Sequence, residues 1–412
     1  MDEYTLDSAY QSDDIVAKVI DKPAHEMTRE GFKVVSESNA DVTFDFENFL
    51  EEYKIDEKIE QSIKWMRLYG GGAILIGARD GKKLDEPLEF TRIRGIDFFQ
   101  VFHRYELKPW ASEIDYEVSS KNFYKPQFYQ LNFTNSNISS NSKTIQDGMV
   151  KIHHSRIIRF EGIQLNRKYM SYVDYWGDSV ISRMFQVLQN FSTAHNSVAS
   201  IVADYNQMVF KMSKLADIVA QGKQNQIIER FQLLNMKASA ISAAIISDNE
   251  EIENKTKNVT GLDGVLQKIN DRLLMATDMP HDILFGDAAG GLGSTGESER
   301  RVWANQVKSL QESQLRDPIN QLLKVFFYYK YGKLPEKYSI VFNSIYQPTI
   351  TETLDSRKKQ AEIDQIYYNI GVMGELEIRT NRFQEHGFEH ETKIESGDQF
   401  SESSDTENDL EE

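Results

Sequence analysis

Between residues 279 and 299 the chain reads Met-Pro-His-Asp-Ile-Leu-Phe-Gly-Asp-Ala-Ala-Gly-Gly-Leu-Gly-Ser-Thr-Gly-Glu-Ser-Glu, with helical hydrophobic patterns on both sides. Pro280 cannot donate to a helical ladder, and Gly286, Gly290, Gly291, Gly293 and Gly296 admit positive φ at little cost. The spacing therefore predicts a mobile loop between a sharp helix stop and a sharp helix start. Ser294 or Thr295 can cap the second helix, with Glu297 and Glu299 in its electropositive first turn. A phosphate cradle is set aside, because the loop lacks the Lys of a P-loop and follows a helical stretch instead of a buried strand.

With 412 residues and 40% hydrophobic content the chain can bury substantial cores. No run reaches the roughly 18 uncharged apolar residues of a membrane helix, and Met1-Asp2-Glu3 is unlike a signal peptide, so assembly in the cytoplasm is expected. The absence of cysteine excludes disulfides, thiolate metal sites and a Cys nucleophile. A net charge of −17 argues against a protein whose main task is to grip duplex DNA, since that requires Lys and Arg on phosphates; it is compatible with DNA passing by. Eight acids, Glu395, Asp398, Glu402, Asp405, Glu407, Asp409, Glu411 and Glu412, sit in a tail without bases, and the segment from 391 onward has too few apolar groups to offset its ordering entropy.

Hydrophobic periodicity supplies the elements. Ile15, Val16, Val19 and Ile20 predict a short helix interrupted by Pro23, and Phe46 to Met66 predict helix up to a Tyr69-Gly70-Gly71-Gly72 break. The apolar run Ala73–Gly77 then predicts a buried strand, and the aromatic and β-branched clusters between Phe90 and Phe160 predict a β-rich region with an exposed Asn/Ser-rich tip at 132–143. A long helical stripe (Val180, Met184, Leu188, Phe191, Ala194, Val198, Ile201) needs a neighbour to cover it. Met208-Val209-Phe210 and Ala240–Ser247 predict strands bracketing a helix at Ile218–Leu234, and a second stripe (Leu262, Val265, Leu266, Ile269, Leu273, Ala276) returns before Pro280. From Glu297 to Tyr329 a helix bent at Pro318 is expected, then a strand at Ser339–Phe342, then helix over 351–383 in two segments with Gly371 and Gly374 between them.

Three constellations resemble chemistry. His386-Gly387-Phe388-Glu389-His390 matches the H-x-x-E-H zinc-hydrolase pattern, yet a helical Gly387 costs about 1 kcal/mol and no downstream segment offers a third ligand before the acidic tail. His153-His154-Ser155 places a hydroxyl beside a base, but neighbouring strand residues point to opposite faces, which predicts a structural strand edge. Asp45, Glu47, Glu51 and Glu52 read as a solvated helix face.

The Met279–Gly286 turn followed by Gly291–Glu299 resembles the portal proteins of tailed bacteriophages. Ile20-Asp21-Lys22-Pro23-Ala24 with Met27–Phe32, Arg67–Ala73, His154–Gly162 and Trp176-Gly177-Asp178-Ser179 match that family in the same order. The resemblance implies an α+β portal fold: a mixed wing (1–176), stem helix (177–206), small α/β clip (207–260), second stem helix (261–280), tunnel loop (281–297), wing helix and strand (298–350), helical crown (351–390) and an acidic tail expected to be disordered (391–412). It implies a head-to-tail ring of twelve subunits at one capsid vertex of a virion, serving as the channel for DNA packaging and ejection. Twelve copies would carry a charge of about −200, enough to discourage phosphate backbones from sticking.

The partners so implied are further copies of the chain, the terminase large subunit, a head completion or adaptor protein, the major capsid and scaffold proteins, and double-stranded DNA in transit without sequence specificity. No membrane, cofactor, metal or catalytic residue is expected, ATP hydrolysis belonging to the terminase. Asp287, Ala288, Ala289, Gly290, Gly291, Leu292, Gly293, Ser294 and Thr295 would line the tunnel loop. Lys268 and Arg272, opposite the packing stripe, would line the stem channel or form ion pairs between subunits. Lys211, Lys214, Lys223, Arg230 and Lys237 make the inserted module basic and would touch DNA or an acidic partner. A scaffold or adaptor without a channel, and a zinc hydrolase built on His386, Glu389 and His390, are the alternatives.

Overall fold

In the computed structural model the described residues are 1–36, 42–110, 113–120, 122–132, 150–203, 206–212, 250–256, 261–286, 297–346 and 350–375, with isolated positions 225, 228, 229, 232 and 377–378. They form two compact units, Met1–Ile345 and Tyr346–Glu412. The larger begins with α1 (Glu3–Ser12) and α2 (Asp14–Thr28), then β1 (Phe32–Ser36), α3 (Val42–Tyr53), α4 (Ile55–Tyr69) and β2 (Gly71–Ala78). The β-rich part supplies β3 (Ile96–His103), β4 (Leu107–Pro109), β5 (Phe128–Leu131), β6 (Lys151–His153) and β7 (Ile157–Glu161), followed by the short α5 (Arg167–Met170). Next come α6 (Val180–Ala203), β8 (Asn206–Met212), β9 (Glu250–Thr256), α7 (Leu262–Thr277) and α8 (His281–Phe285). After residues 287–296 the chain runs through α9 (Glu297–Leu310), a π-helical turn (Gln311–Leu315), α10 (Arg316–Tyr331) and β10 (Tyr338–Phe342). The second unit contributes α11 (Ile350–Asn369).

Among the described residues all strand pairing is antiparallel, in sheets ordered β1-β10, β3-β2-β7, β4-β5-β6 and β8-β9. The predicted buried strand is the centre of the second sheet, with every residue from Gly71 to Gly77 buried. One face packs on α4 and joins the main core, where Phe46 and Phe49 of α3 meet Phe326 of α10 at ring distances of 5.0 and 5.2 Å. The other face, with Ala73 and Leu75, builds a smaller core around Tyr129 and Trp176. Strand β1, which pairs with the predicted β10, was not anticipated: its burial alternates, with Val34 buried and Lys33 and Val35 exposed, but five residues with adjacent valines on opposite faces show no apolar–polar alternation in the sequence.

Pro23 does not interrupt its helix; α2 runs through it to Thr28. A proline at this position removes the N–H that would have bonded the carbonyl four residues back, at Val19. The Arg67 guanidinium of α4 donates to that carbonyl from two nitrogens, at 2.9 and 3.3 Å. Burial without an acidic partner lowers the Arg67 pKa to about 10, so it remains charged at neutral pH. The helix Asp45–Leu68 is likewise two helices, parted by Lys54 at φ 50°. The long helix near Pro318 departs from α geometry before the proline, in the π turn, where the buried Gln311 donates to the Met27 carbonyl at 2.8 Å. Pro318 lies in the first turn of α10, where its missing donor costs little.

Replacing Arg67 by Met should destabilise the protein by about 1–3 kcal/mol, the cost of leaving a buried carbonyl unpaired. In a Pro23→Ala background the restored N–H should recover at least about 1 kcal/mol of that loss, read as coupling in a denaturant double-mutant cycle. Additive costs would contradict the substitution of one donor by the other.

Candidate assembly and channel elements

The start of α6 is fixed to the sheet by three glycines. The carbonyl of Gly70 accepts from Gly162 N–H at 3.1 Å and Gly177 N–H at 2.8 Å. A Cβ on Gly70, Gly162 or Gly177 would lie 2.3, 2.7 or 2.5 Å from neighbouring backbone atoms, so only glycine permits the crossing. Asp178 and Ser179 then cap the helix. Ser179 Oγ accepts from Ile181 N–H at 3.1 Å and donates to the Arg67 carbonyl at 3.4 Å, while Asp178 accepts from the Ser182 hydroxyl at 3.0 Å. The same α4 segment that completes α2 therefore also seats α6.

Only the first turns of α6 sink into the core of their own chain, through Ile181, Met184 and Leu188; Phe191, Ala194, Val198 and Ile201 are half-buried. The chain goes out along β8 and returns along β9 with Asn206 opposite Thr256, so α7 comes back beside α6. His195 lies 3.3 Å from Asn270, and Phe191 packs near Phe285 of α8. Beyond Arg183, α6 carries no Lys, Arg, Asp or Glu, and its exposed positions are Gln, Asn, Ser, Thr and Ala. This neutral polar face is an element the sequence reading passed over; its signal was twenty uncharged residues in a chain that is 27% charged.

Lys268 and Arg272 are exposed on α7, on a face shared at helical spacing with Val265 and Met275, which are 54% and 71% exposed. Val265, expected in the packing stripe, is instead bare on the face of Lys268 and Arg272, one turn to the side of the half-buried Leu262, Leu266 and Ile269. Lys211 falls in β8; Lys214, Lys223, Arg230 and Lys237 lie outside the described residues, as does the predicted strand Ala240–Ser247. Among the described residues β8 pairs with the charged segment Glu250–Thr256, whose lack of apolar alternation hid it. Of the helix expected at Ile218–Leu234, residues 225, 228, 229 and 232 are helical and the rest lie outside the described residues.

Asp287–Thr295 also lie outside the described residues, but both flanks are placed, and the segment expected to be loop from 281 onward begins as the helix α8, packed through the buried Leu284. Gly286 ends α8 at φ 87°, and Asp282 before the loop pairs with Arg300 after it at 3.3 Å.

His153, not His154, meets Ser155. Their Nδ1 and Oγ are 2.8 Å apart, and Oγ also accepts from Leu88 N–H at 2.8 Å. Burial and the nearby cations push His153 down to about 4, and the arrangement pins a turn to the 88 segment. Asp45 accepts from the Tyr331 hydroxyl at 2.5 Å and pairs with Lys330 at 3.0 Å, which hold its carboxyl below its ordinary range, whereas Glu47, Glu51 and Glu52 are exposed. His386, Glu389 and His390 lie outside the described residues, among which no group of three or more potential metal ligands occurs. No helix among the described residues is long and apolar enough to cross a membrane.

The phage portal protein family model matches residues 4–366. The chain belongs to the phage portal protein family. A Sphingomonas paeninsulae protein named anti-CBASS protein Acb1 is 26% identical over 332 residues, covering 77% of this chain and 50% of the relative, so the chain spans about half that protein's length. An uncharacterised Haemophilus influenzae protein is 22% identical over 384 residues, covering 93% of this chain and 83% of its own. Among solved structures, a chain in the neck of an empty gene transfer agent (GTA) particle, computed with C6 symmetry, superposes with a TM-score of 0.53 at 11% identity, covering 90% of this chain and 89% of that one. The mixed α/β fold of this portal family member is thus shared with a particle neck component.

If the α7 face is a subunit contact, the double variant Val265→Glu/Met275→Glu should melt within about 1 kcal/mol of the parent, as exposed sites do, yet fail to assemble by size-exclusion chromatography with light scattering. Unchanged assembly would place the contact elsewhere.

Proposed function

We propose that this chain is the subunit of a closed homo-oligomeric ring, twelve copies around an axial channel, placed at one capsid vertex of a virion after assembly in the host cytoplasm. Its work is mechanical. DNA enters the head through the channel during packaging and leaves through it on ejection, and the ring is the docking platform for the terminase large subunit and then for a head completion or adaptor protein. Contacts with major capsid and scaffold proteins seat the ring in the shell.

The observation that carries this reading is the α6–α7 hairpin. It stands on the glycine junction with its distal apolar side chains half-covered and a face of α7 bare. Lateral packing of neighbouring hairpins would cover those groups, and head-to-tail contacts of this kind close into rings. The likeness to a neck chain in a particle computed with C6 symmetry supports the same geometry.

Within the ring, residues 177–206 and 261–280 serve as the stem, 207–260 as the clip, 281–297 as the tunnel loop, and 351–390 as the crown. Residues 1–176 and 298–350 form the wing. The neutral face of α6 suits a wall past which a polyanion slides, since strong phosphate binding would stall movement. Lys268 and Arg272 sit at the subunit boundary, where they reach the channel or an acid of the neighbour. Lys211, Lys214, Lys223, Arg230 and Lys237 form the clip's contact surface for a partner. Asp287–Thr295 adjust to DNA at the narrowest point. The activity of the Sphingomonas relative is not carried over, because half of that protein lies outside the match.

The double variant Gly290→Val/Gly291→Val should form rings of parental size but package or retain DNA at a tenth of the parental level or less, measured by nuclease-protected genome content of particles. Loss of the rings themselves would make the loop a structural element and not a DNA contact.

A further inference from the structure

On the far end of the central sheet, Arg79, Lys82, Arg92 and Arg94 line a cavity of about 900 Å³, together with Asp80, Gly81 and Thr91. The site is built on backbone. Arg79 N–H donates to the Gly95 carbonyl at 2.9 Å and Arg94 N–H to the Arg79 carbonyl at 3.0 Å, extending the β2–β3 pairing beyond Ala78. Ile93 is buried between Arg92 and Arg94, which are both exposed. The two cationic stems are therefore fixed at their base and free at their tips.

The charges are unevenly committed. Asp80, the one acid of the lining, has a fully buried side chain that accepts from Arg156 at 2.7 Å, Lys82 N–H at 3.1 Å and Glu89 N–H at 3.0 Å, so its charge is already met. Arg79 pairs with Asp97 at 2.8 Å and Lys82 with Glu89 at 3.4 Å, both near solvent, where such pairs are weak and readily exchanged. Among the described residues the side chains of Arg92 and Arg94 have no hydrogen-bond or ion-pair partner. In a chain of net charge −17, two unpaired guanidinium groups beside two exchangeable cations form a local positive pocket.

We propose that this pocket binds a short acidic peptide segment of a partner protein. Guanidinium forks match carboxylates bidentately, and four cations around one cavity exceed what a single phosphate ion contacts. A nucleic acid fits less well. Its charge continues past any single pocket along the surface of a chain whose net charge is −17, whereas a peptide brings two or three carboxylates and then ends or changes sign. The inference is independent of the ring and channel reading, because it concerns a surface of the single chain.

The probe is a fluorescein-labelled octapeptide of alternating Glu and Asp, titrated with the full chain and followed by anisotropy, with a Gln/Asn octapeptide as the neutral comparison. The acidic peptide should bind, weaken as salt is raised, and lose at least tenfold in affinity in Arg92→Glu/Arg94→Glu. The milder Arg92→Gln/Arg94→Gln should lose affinity in the same direction with an unchanged thermal melt. Lys168→Glu/Arg183→Glu, an equal charge change outside the pocket, should bind as the parent does. Equal binding by the Arg92/Arg94 variants and the parent would overturn the proposal. So would absence of peptide binding, or Arg92/Arg94-dependent binding of a labelled duplex or of inorganic phosphate in the peptide's place.

Discussion

The carbonyl of Gly70 is where the architecture converges. It receives the N–H groups of Gly162 and Gly177, so the end of α4, the exit of β7 and the approach to α6 meet within backbone contact. Side chains would hold these segments apart. With glycine at all three positions, the central sheet and the α6–α7 hairpin share one rigid root, and Trp176 closes it by packing on Gly71. The neighbouring Arg67 adds a second tie, repairing α2 at Val19 through its side chain and receiving Ser179 through its carbonyl. A hairpin meant to stand out from its domain needs such a foundation, because it has little core of its own.

Much of this was legible in the sequence where periodicity and core membership coincide. The run Ala73–Gly77 is a buried central strand because its apolar stretch has no polar face to offer. The stripes of the two long helices are present, and the Tyr69–Gly72 break falls where α4 hands over to β2. What escaped was set by long-range partners. Pro23 reads locally as a helix stop and is overruled by an arginine 44 positions later. Strand β9 is made of Glu, Asn, Lys and Thr with one Ile, and is a strand because β8 lies beside it. The π turn before Pro318 answers to the Met27 carbonyl, a contact that no local pattern records.

The assembly elements were read unevenly for a related reason. Glycine content predicts a loop whatever surrounds it; of the segment after Phe285 only the flanks are described, Gly286 ending α8 and Glu297 opening α9, and Asp287–Thr295 lie outside the described residues. Exposure depends on what the rest of the fold leaves uncovered. Lys268 and Arg272 were identified as facing away from the packing stripe, but Val265 was assigned to that stripe and lies exposed beside them, with Met275, because α6 covers the other side. In the ring proposed above, an uncharged α6 beside cationic α7 positions would tolerate a polyanion without holding it. That chemistry suits passage better than binding.

Negative-stain electron microscopy of the purified full-length chain tests this account most directly, because end-on views report whether subunits close around a hole. The account predicts rings with a central channel. Monodisperse monomers persisting at high protein concentration, or closed assemblies without a hole, would contradict it.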